Sequence, residues 1–193
     1  SNYLRGDQSD SIMNYAFTKA CLDYFATGAA NAEQTAWKLN DILARNTDTV
    51  NSMMLNLLDS HDTHRFFTEV GMDREKMAAA LHLLFLFPGV PCIFYGTEFY
   101  MEGGYDPDCR RCMDWSGYEA GRYDEPVQLI QKLAALRRKY GLADAETVIT
   151  AQSEILIVKR RLKEIELSLY INLSDQEAAV DGRIVRAHSY LLL

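Results

Sequence analysis

The chain has 193 residues, 48% of them hydrophobic and 24% charged, with a formal net charge of −7. That is enough apolar material for a packed core, and the wrong balance for a surface that binds nucleic-acid phosphates, so neutral or cationic partners are expected. The apolar stretch Leu81–Phe87 is far too short to span a bilayer, and no charged-then-apolar leader precedes the fold, so a cytoplasmic protein with no membrane partner is expected. Of the four cysteines, only Cys109 and Cys112 are close in sequence. Their spacing suits half a zinc site or a redox pair, but zinc needs two further ligands, and reduced structural thiols are the plainer reading.

In chain order, Ser11–Phe17 reads as a short strand, and from Thr18 to Ala26 the apolar spacing becomes helical until Gly28 stops it. Asn31 is placed to cap a helix running to about Arg45, with Ala32, Ala36, Leu39 and Leu43 on one face. Met53–Ser60 then reads as a buried strand, apolar to Leu58 but for Asn56, and it ends abruptly in Asp59, His61 and Asp62. In a parallel sheet covered on both faces the strand is apolar throughout, and its chemistry falls just beyond its C-terminal end.

Asp73 caps a helix from Arg74 to about Phe87, which Pro88-Gly89 ends. Val90–Tyr95 is a further buried strand, delivering Thr97 and Glu98. Met101–Tyr123 reads as a long irregular loop, a length that in a compact domain usually signals function. Asp124 and Pro126 open a helix over Glu125–Tyr140, closed by Gly141. Beyond Glu146 the apolar period alternates, placing strands at Thr147–Thr150, Ile155–Arg160, Ile165–Asn172, Ile184–Arg186 and Ser189–Leu193. The fold class is therefore α/β plus all-β, with a boundary near Leu142 and domains at 1–142 and 143–193.

Three motifs in order carry a resemblance: Leu57-Leu58-Asp59-Ser60-His61-Asp62-Thr63, then Phe87-Pro88-Gly89-Val90-Pro91-Cys92-Ile93-Phe94-Tyr95-Gly96-Thr97-Glu98, then Met101–Met113 with its Gly103-Gly104-Tyr105-Asp106-Pro107-Asp108-Cys109-Arg110. Together they resemble the α-amylase family of glycoside hydrolases, in its neopullulanase, cyclomaltodextrinase and maltogenic amylase branch. Leu4-Arg5-Gly6-Asp7-Gln8 with Ser11–Phe17 resembles the segment around that family's sixth barrel strand. The resemblance covers nearly the whole chain and weakens after about Leu142. It implies the C-terminal portion of a (β/α)8 TIM barrel, namely its last three βα units, followed by a small antiparallel β-sandwich. Strands six, seven and eight would be Ser11–Phe17, Met53–Ser60 and Val90–Tyr95.

The activity so implied is retaining hydrolysis of α-glucans (maltodextrin, cyclodextrin, pullulan) at α-1,4 links, with α-1,6 links as a second candidate. The family's nucleophile and general acid come from strands four and five, which nothing in this chain matches, so the chain alone is expected to be inactive. Asp62 maps onto the family's third acidic residue, the transition-state stabiliser, and His61 onto the neighbouring substrate-binding histidine. Asp106 and Arg110 resemble the pair that holds a more distant sugar ring. The chain departs from its relatives at Thr97, where they often carry Asp, and carries His64 at a position where they vary.

Tyr15, Tyr95 and Trp115 are candidates for stacking on sugar faces, with core packing the alternative for the first two. Each site residue also has a structural reading. Asp62 would cap a segment starting at Thr63, His61 would be a core-edge histidine, and Asp106 with Arg110 would be a loop ion pair. Asp59 is expected to be structural, His82 a packing histidine and His188 a surface one. No metal or organic cofactor is expected. The rival function is a non-catalytic carbohydrate-binding or assembly module that keeps the same residues for recognition. Three parallel strands leave an unpaired edge, so self-association through the open barrel edge is also expected.

Overall fold

The structure is a computed structural model that describes Leu4 and residues 9–193. Arg5, Gly6, Asp7 and Gln8 of the N-terminal motif lie outside the described residues. Helix α1 (Tyr15–Cys21) starts where the Asn14 side chain accepts from the Phe17 N–H, and it widens into a π-helical turn over Leu22–Ala26. Asn31 and Gln34 form a reciprocal capping box at the head of α2 (Ala32–Ala44), and Thr47 caps α3 (Asp48–Met53). Strand β1 (Leu55–Leu57) and α4 (Phe66–Glu69) follow. Asp73 caps α5 (Arg74–Leu86), which leads into β2 (Val90–Cys92). Then come α6 (Trp115–Glu119) and α7 (Asp124–Lys139). The rest is β3 (Glu146–Gln152), β4 (Ile155–Leu162), β5 (Ile165–Asn172), β6 (Ala178–Val180), β7 (Arg183–Val185) and β8 (Ser189–Leu192).

The parallel strands are shorter than their apolar runs. The strand expected at Ser11–Phe17 is a single parallel bridge from Met13 to Leu55, because Asn14 turns the chain into α1. The strand expected at Met53–Ser60 pairs only over Leu55–Leu57, Met53 being the last residue of α3, and Val90–Tyr95 pairs only over Val90–Cys92. Apolar runs report burial, and burial continues where pairing has stopped. The Met101–Tyr123 loop likewise contains a 3-10 turn at Asp108–Arg110 and the short α6.

Asn56, the polar residue inside β1, is fully buried and explains itself. Asn14 donates from Nδ2 to Asn56 Oδ1 at 2.7 Å, and Asn56 donates from Nδ2 to the Pro88 carbonyl at 2.7 Å. One amide thus ties together the chain segments that precede α1 and β2, with β1 between them. Gly89 makes room for it: at φ +110° a Cβ there would meet Asn56 Nδ2 and the Met54 carbonyl at 2.6 Å each.

The antiparallel sheet runs in the order β3, β4, β5, β8, and the β6–β7 hairpin forms a separate pair. Strand β4 is apolar on both faces. Leu156 and Val158, paired with Ile171 and Leu169, join the main core with Phe17, Leu39, Leu81 and Leu84. Ile155 and Ile157 face the other way and pack with Tyr170, Val180 and Val185 beneath the hairpin. The main core therefore continues without a break from the parallel segment into the sheet.

Two arginines hold that junction. Arg160, 1% exposed, donates to the carbonyls of Leu86, Leu142 and Ala145. Arg137 donates to the carbonyls of Phe85 and Gly89. Helix α5 ends at Leu86, so its orphan C-terminal carbonyls are met by guanidinium groups from α7 and β4, cations where the helix dipole favours them. Burial and the neighbouring Arg137 pull Arg160 down to about 10, which leaves it charged at neutral pH.

Asp59 organises the chain after β1. Only 3% exposed, it accepts the Phe66 N–H at 2.9 Å, capping α4 from seven residues away, and the Thr97 hydroxyl at 2.7 Å. Burial pushes its carboxyl up, against the pull of those two donors and of Arg65. The structural role expected for Asp59 is the one observed.

Two stability outcomes follow. Arg160→Met strands buried carbonyls but recovers guanidinium desolvation, so it should cost about 2–3 kcal/mol in urea unfolding. Arg161→Ala, removing a half-exposed pair with Glu166, should cost under about 0.5 kcal/mol; equal losses would refute the staple. Asp59→Ala should cost roughly 2–3 kcal/mol at pH 7, and Asp59→Asn, which keeps one acceptor, about 1 kcal/mol or less. Because the folded Asp59 carboxyl is raised, the stability it contributes is full below the unfolded value of 3.8 and is lost as pH rises through the folded one. The wild type should therefore gain on Asp59→Asn as pH falls from about 7 toward 4, and a gap that narrows on acidification would contradict this.

Candidate functional site

Beyond β1 the chain makes a tight turn. The Ser60 N–H donates to Thr63 Oγ1 at 2.9 Å and the Asp62 N–H to Ser60 Oγ at 3.2 Å. With Ser60 buried, the turn throws the next two side chains outward, leaving His61 61% and Asp62 62% exposed. Asp62 caps no helix. The next one, α4, starts after Arg65, and Asp59 takes its first N–H.

The 3-10 turn at Asp108–Arg110 brings the second half of the cluster over this turn. Arg110 Nε lies 3.1 Å from Asp106 Oδ1 and donates to the His61 carbonyl at 3.1 Å, while Nη2 is 3.9 Å from Asp62 Oδ1. His61 Nε2 stands 3.3 Å from the same Asp62 oxygen. His61, Asp62, Asp106 and Arg110, separated by up to 49 positions, are therefore linked through Arg110, which reaches each of the other three. One guanidinium bridges two carboxylates at the surface. Exposed pairs of this kind are worth only about 0–1 kcal/mol, so their donors and acceptors are available to exchange onto a ligand's hydroxyl groups. A planar guanidinium beside a carboxylate suits vicinal hydroxyls, and an unburdened carboxylate suits developing positive charge.

The aromatic candidates divide. Tyr15 opens α1, half-exposed, with its hydroxyl 3.3 Å from Ser60 Oγ, so it borders the turn. Tyr95 donates its hydroxyl to the Arg111 carbonyl at 3.1 Å, and its ring centre lies 4.8 Å from the Arg65 guanidinium. Trp115 is edge-on to Phe99 and Tyr118, in a separate aromatic group. His82 is buried, with Nδ1 2.8 Å from the Ala78 carbonyl and its ring against Tyr190, and His188 is exposed beside Asp175. The cysteines are free, and no group of three or more metal-ligating side chains gathers among the described residues. No described helix is long and apolar enough to cross a membrane.

Arg65 and Cys109 are the participants that sequence reasoning missed. Arg65 is fully buried and donates to the carbonyls of Tyr95 and Cys109. Cys109 Sγ is 3.4 Å from the His61 carbonyl. An arginine ahead of Phe66-Phe67 looks like an ordinary surface cation, and only a run of apolar neighbours hints otherwise. The cluster occupies an open face. Cavities of about 360, 260 and 460 Å3 are lined by other parts of the chain, so concavity alone does not find it.

Comparison with known proteins fits this geometry. The family profile described as the α-amylase catalytic domain matches residues 1–166. A cyclomaltodextrinase of a Bacillus species is 42% identical over 142 residues, covering 71% of this chain and 25% of that protein. A cyclomaltodextrinase of Thermoanaerobacter pseudethanolicus is 37% identical over 185 residues, covering 93% of this chain and 31% of that protein. The solved cyclic α-maltosyl-(1→6)-maltose hydrolase of Arthrobacter globiformis matches with a TM-score of 0.91 at 26% identity, over 100% of this chain and 46% of that one. The chain thus spans between a quarter and a third of these curated relatives. Its parallel segment derives from a TIM barrel, and the chain belongs to the α-amylase family of glycoside hydrolases.

Proposed function

We propose that this chain is the C-terminal part of a retaining α-glucan hydrolase of the cyclomaltodextrinase, neopullulanase and maltogenic amylase kind, acting in the cytoplasm on α-1,4 and α-1,6 links. The Met13 bridge, β1 and β2 take the places of barrel strands six, seven and eight, with the barrel part at 1–142 and a β-sandwich domain at 143–193. The observation that carries the reading is the convergence of His61 and Arg110 on Asp62, with Asp106 paired to the same guanidinium, beyond the C-terminal end of a parallel strand.

In this reading Asp62 stabilises positive charge developing at the anomeric carbon, and His61 donates to hydroxyls of the same ring. Asp106 and Arg110 hold a ring further along, and Tyr15 and Tyr95 line the rim. Retaining hydrolysis also needs a nucleophile and an acid whose proton is held to near-neutral pH. The burial-raised carboxyl beside the site, Asp59, has one oxygen committed to the Phe66 amide and the other to Thr97, inside the fold. It is unavailable for proton transfer to a sugar. The chain alone is thus a binding and stabilising half without the bond-breaking pair. The outer strand of the parallel set and its opposite edge expose Met13 and Val90, at 40% and 41%, which supports self-association along these edges.

The test is release of reducing sugar from cyclodextrin, starch and pullulan, by this chain and by the same chain joined to its upstream coding sequence. Turnover only in the longer protein, reduced at least about 10^3-fold by Asp62→Asn, is the expected result. Turnover by the short chain would assign the chemistry to its own carboxylates and overturn the division of roles.

A further inference from the structure

We propose that Arg65 is the positioning residue of the sugar cluster, the side chain that fixes the Arg110 loop against His61 and Asp62. The proposal rests on the α-glucan reading only for the ligand used in its test. Arg65 follows Asp62 by three positions and is 0% exposed. Its Nε donates to the Cys109 carbonyl at 2.7 Å, its Nη1 to the Tyr95 carbonyl at 2.6 Å, and its backbone N–H to the Gly103 carbonyl at 2.9 Å. The guanidinium carbon lies 4.2 Å from the Phe94 ring centre and 4.8 Å from that of Tyr95. A single residue beside Asp62 therefore grips the segment that follows β2 and the loop that carries Asp106 and Arg110.

Cys109 is where the grip is transmitted. Its carbonyl accepts from Arg65, its Sγ lies 3.4 Å from the His61 carbonyl, and the next residue, Arg110, donates from Nε to that same carbonyl at 3.1 Å. With Cys109 held, Arg110 starts from a fixed point and its guanidinium reaches both Asp106 and Asp62. Burying a guanidinium is costly, and Arg65 makes no direct ion pair among the described residues, so carbonyls and the Phe94 and Tyr95 rings offset that cost. The buried Nη2 has no hydrogen-bond partner among the described residues. The fork is spent on carbonyls of two separate segments, which a lysine ammonium cannot span in one plane.

The test compares the wild type with Arg65→Lys, Arg65→Met and Arg160→Met, the last destabilising the fold far from the cluster. Maltotetraose affinity is measured by NMR titration at a temperature where circular dichroism shows each variant folded, together with heteronuclear NOEs over residues 103–111. Arg65→Lys and Arg65→Met should weaken binding at least about tenfold and lower the NOEs of that loop, while Arg160→Met should bind as the wild type does. Should Arg65→Met not fold, Arg65→Lys carries the comparison alone. Binding within twofold of wild type in the Arg65 variants overturns the proposal, and so does an equal loss in Arg160→Met, which would make affinity follow stability. If the wild type binds no maltotetraose, the α-glucan reading fails instead, and the NOEs decide: unchanged values at 103–111 overturn the positioning role.

Discussion

The carbonyl end of α5 is the constraint on which the molecule is built. The helix runs through the core with ten buried residues and must end inside the protein, where its last carbonyls find no water. Leaving such groups unpaired costs about 1–3 kcal/mol each. Arg137 from α7 and Arg160 from β4 meet them, so α5, α7 and the antiparallel sheet share one set of hydrogen bonds. No carboxylate among the described residues takes part. The positive charges are met by peptide dipoles, while burial and the like charge of Arg137 pull Arg160 down. With α5 so held, its exit through Phe87–Gly89 delivers β2 beside β1.

The site inherits its accuracy from how little of the parallel segment is strand. Three residues of pairing leave little ladder to set register, and the buried Asn14–Asn56–Pro88 relay does part of that work. Asp59 then closes the end of β1 by engaging α4 and Thr97, and only afterwards does the chain release His61 and Asp62 to solvent. Two acids three positions apart have opposite surroundings: Asp59 saturated and buried, Asp62 open and lightly paired. Thr97 supplies a hydroxyl donor to Asp59 at a place where a second carboxylate would face the first at hydrogen-bond range.

Much of this was legible from residue order. The caps at Asn31 and Asp73, the helix from Arg74 to about Phe87 and the alternating period after Glu146 are local signals, and the structure places them as read to within a residue; the motif carrying His61, Asp62, Asp106 and Arg110 is local too, and the structure brings its residues close together. Strand limits were not legible, because Met53 is as apolar as Leu55 while Thr47 has already committed it to a helix. Strand β6 was passed over because its three residues carry almost no pattern. Arg65 and Arg160 were hidden for a different reason. Sequence patterns take charge as a mark of the surface, and these two are buried by virtue of carbonyls contributed from positions 14 to 74 residues away.

The uninterrupted core also bears on how such chains exchange parts over evolutionary time. The change of period near Leu142 looks like a seam, yet Leu156, Val158 and Leu169 pack among residues of α1, α2 and α5. Tyr24 donates to the Ile171 carbonyl, and Asn40 to that of Ile149. What each part presents to the other is interior, with no finished surface between them. Recombination between homologous genes at that point would separate side chains from the neighbours they were fitted to, and would succeed only where both parents already agree about α2 and α5. Insertion is easier at turns that touch neither, such as Asp181-Gly182 between β6 and β7, where the chain turns through positive φ and a side chain added at Gly182 would meet nothing within 4 Å.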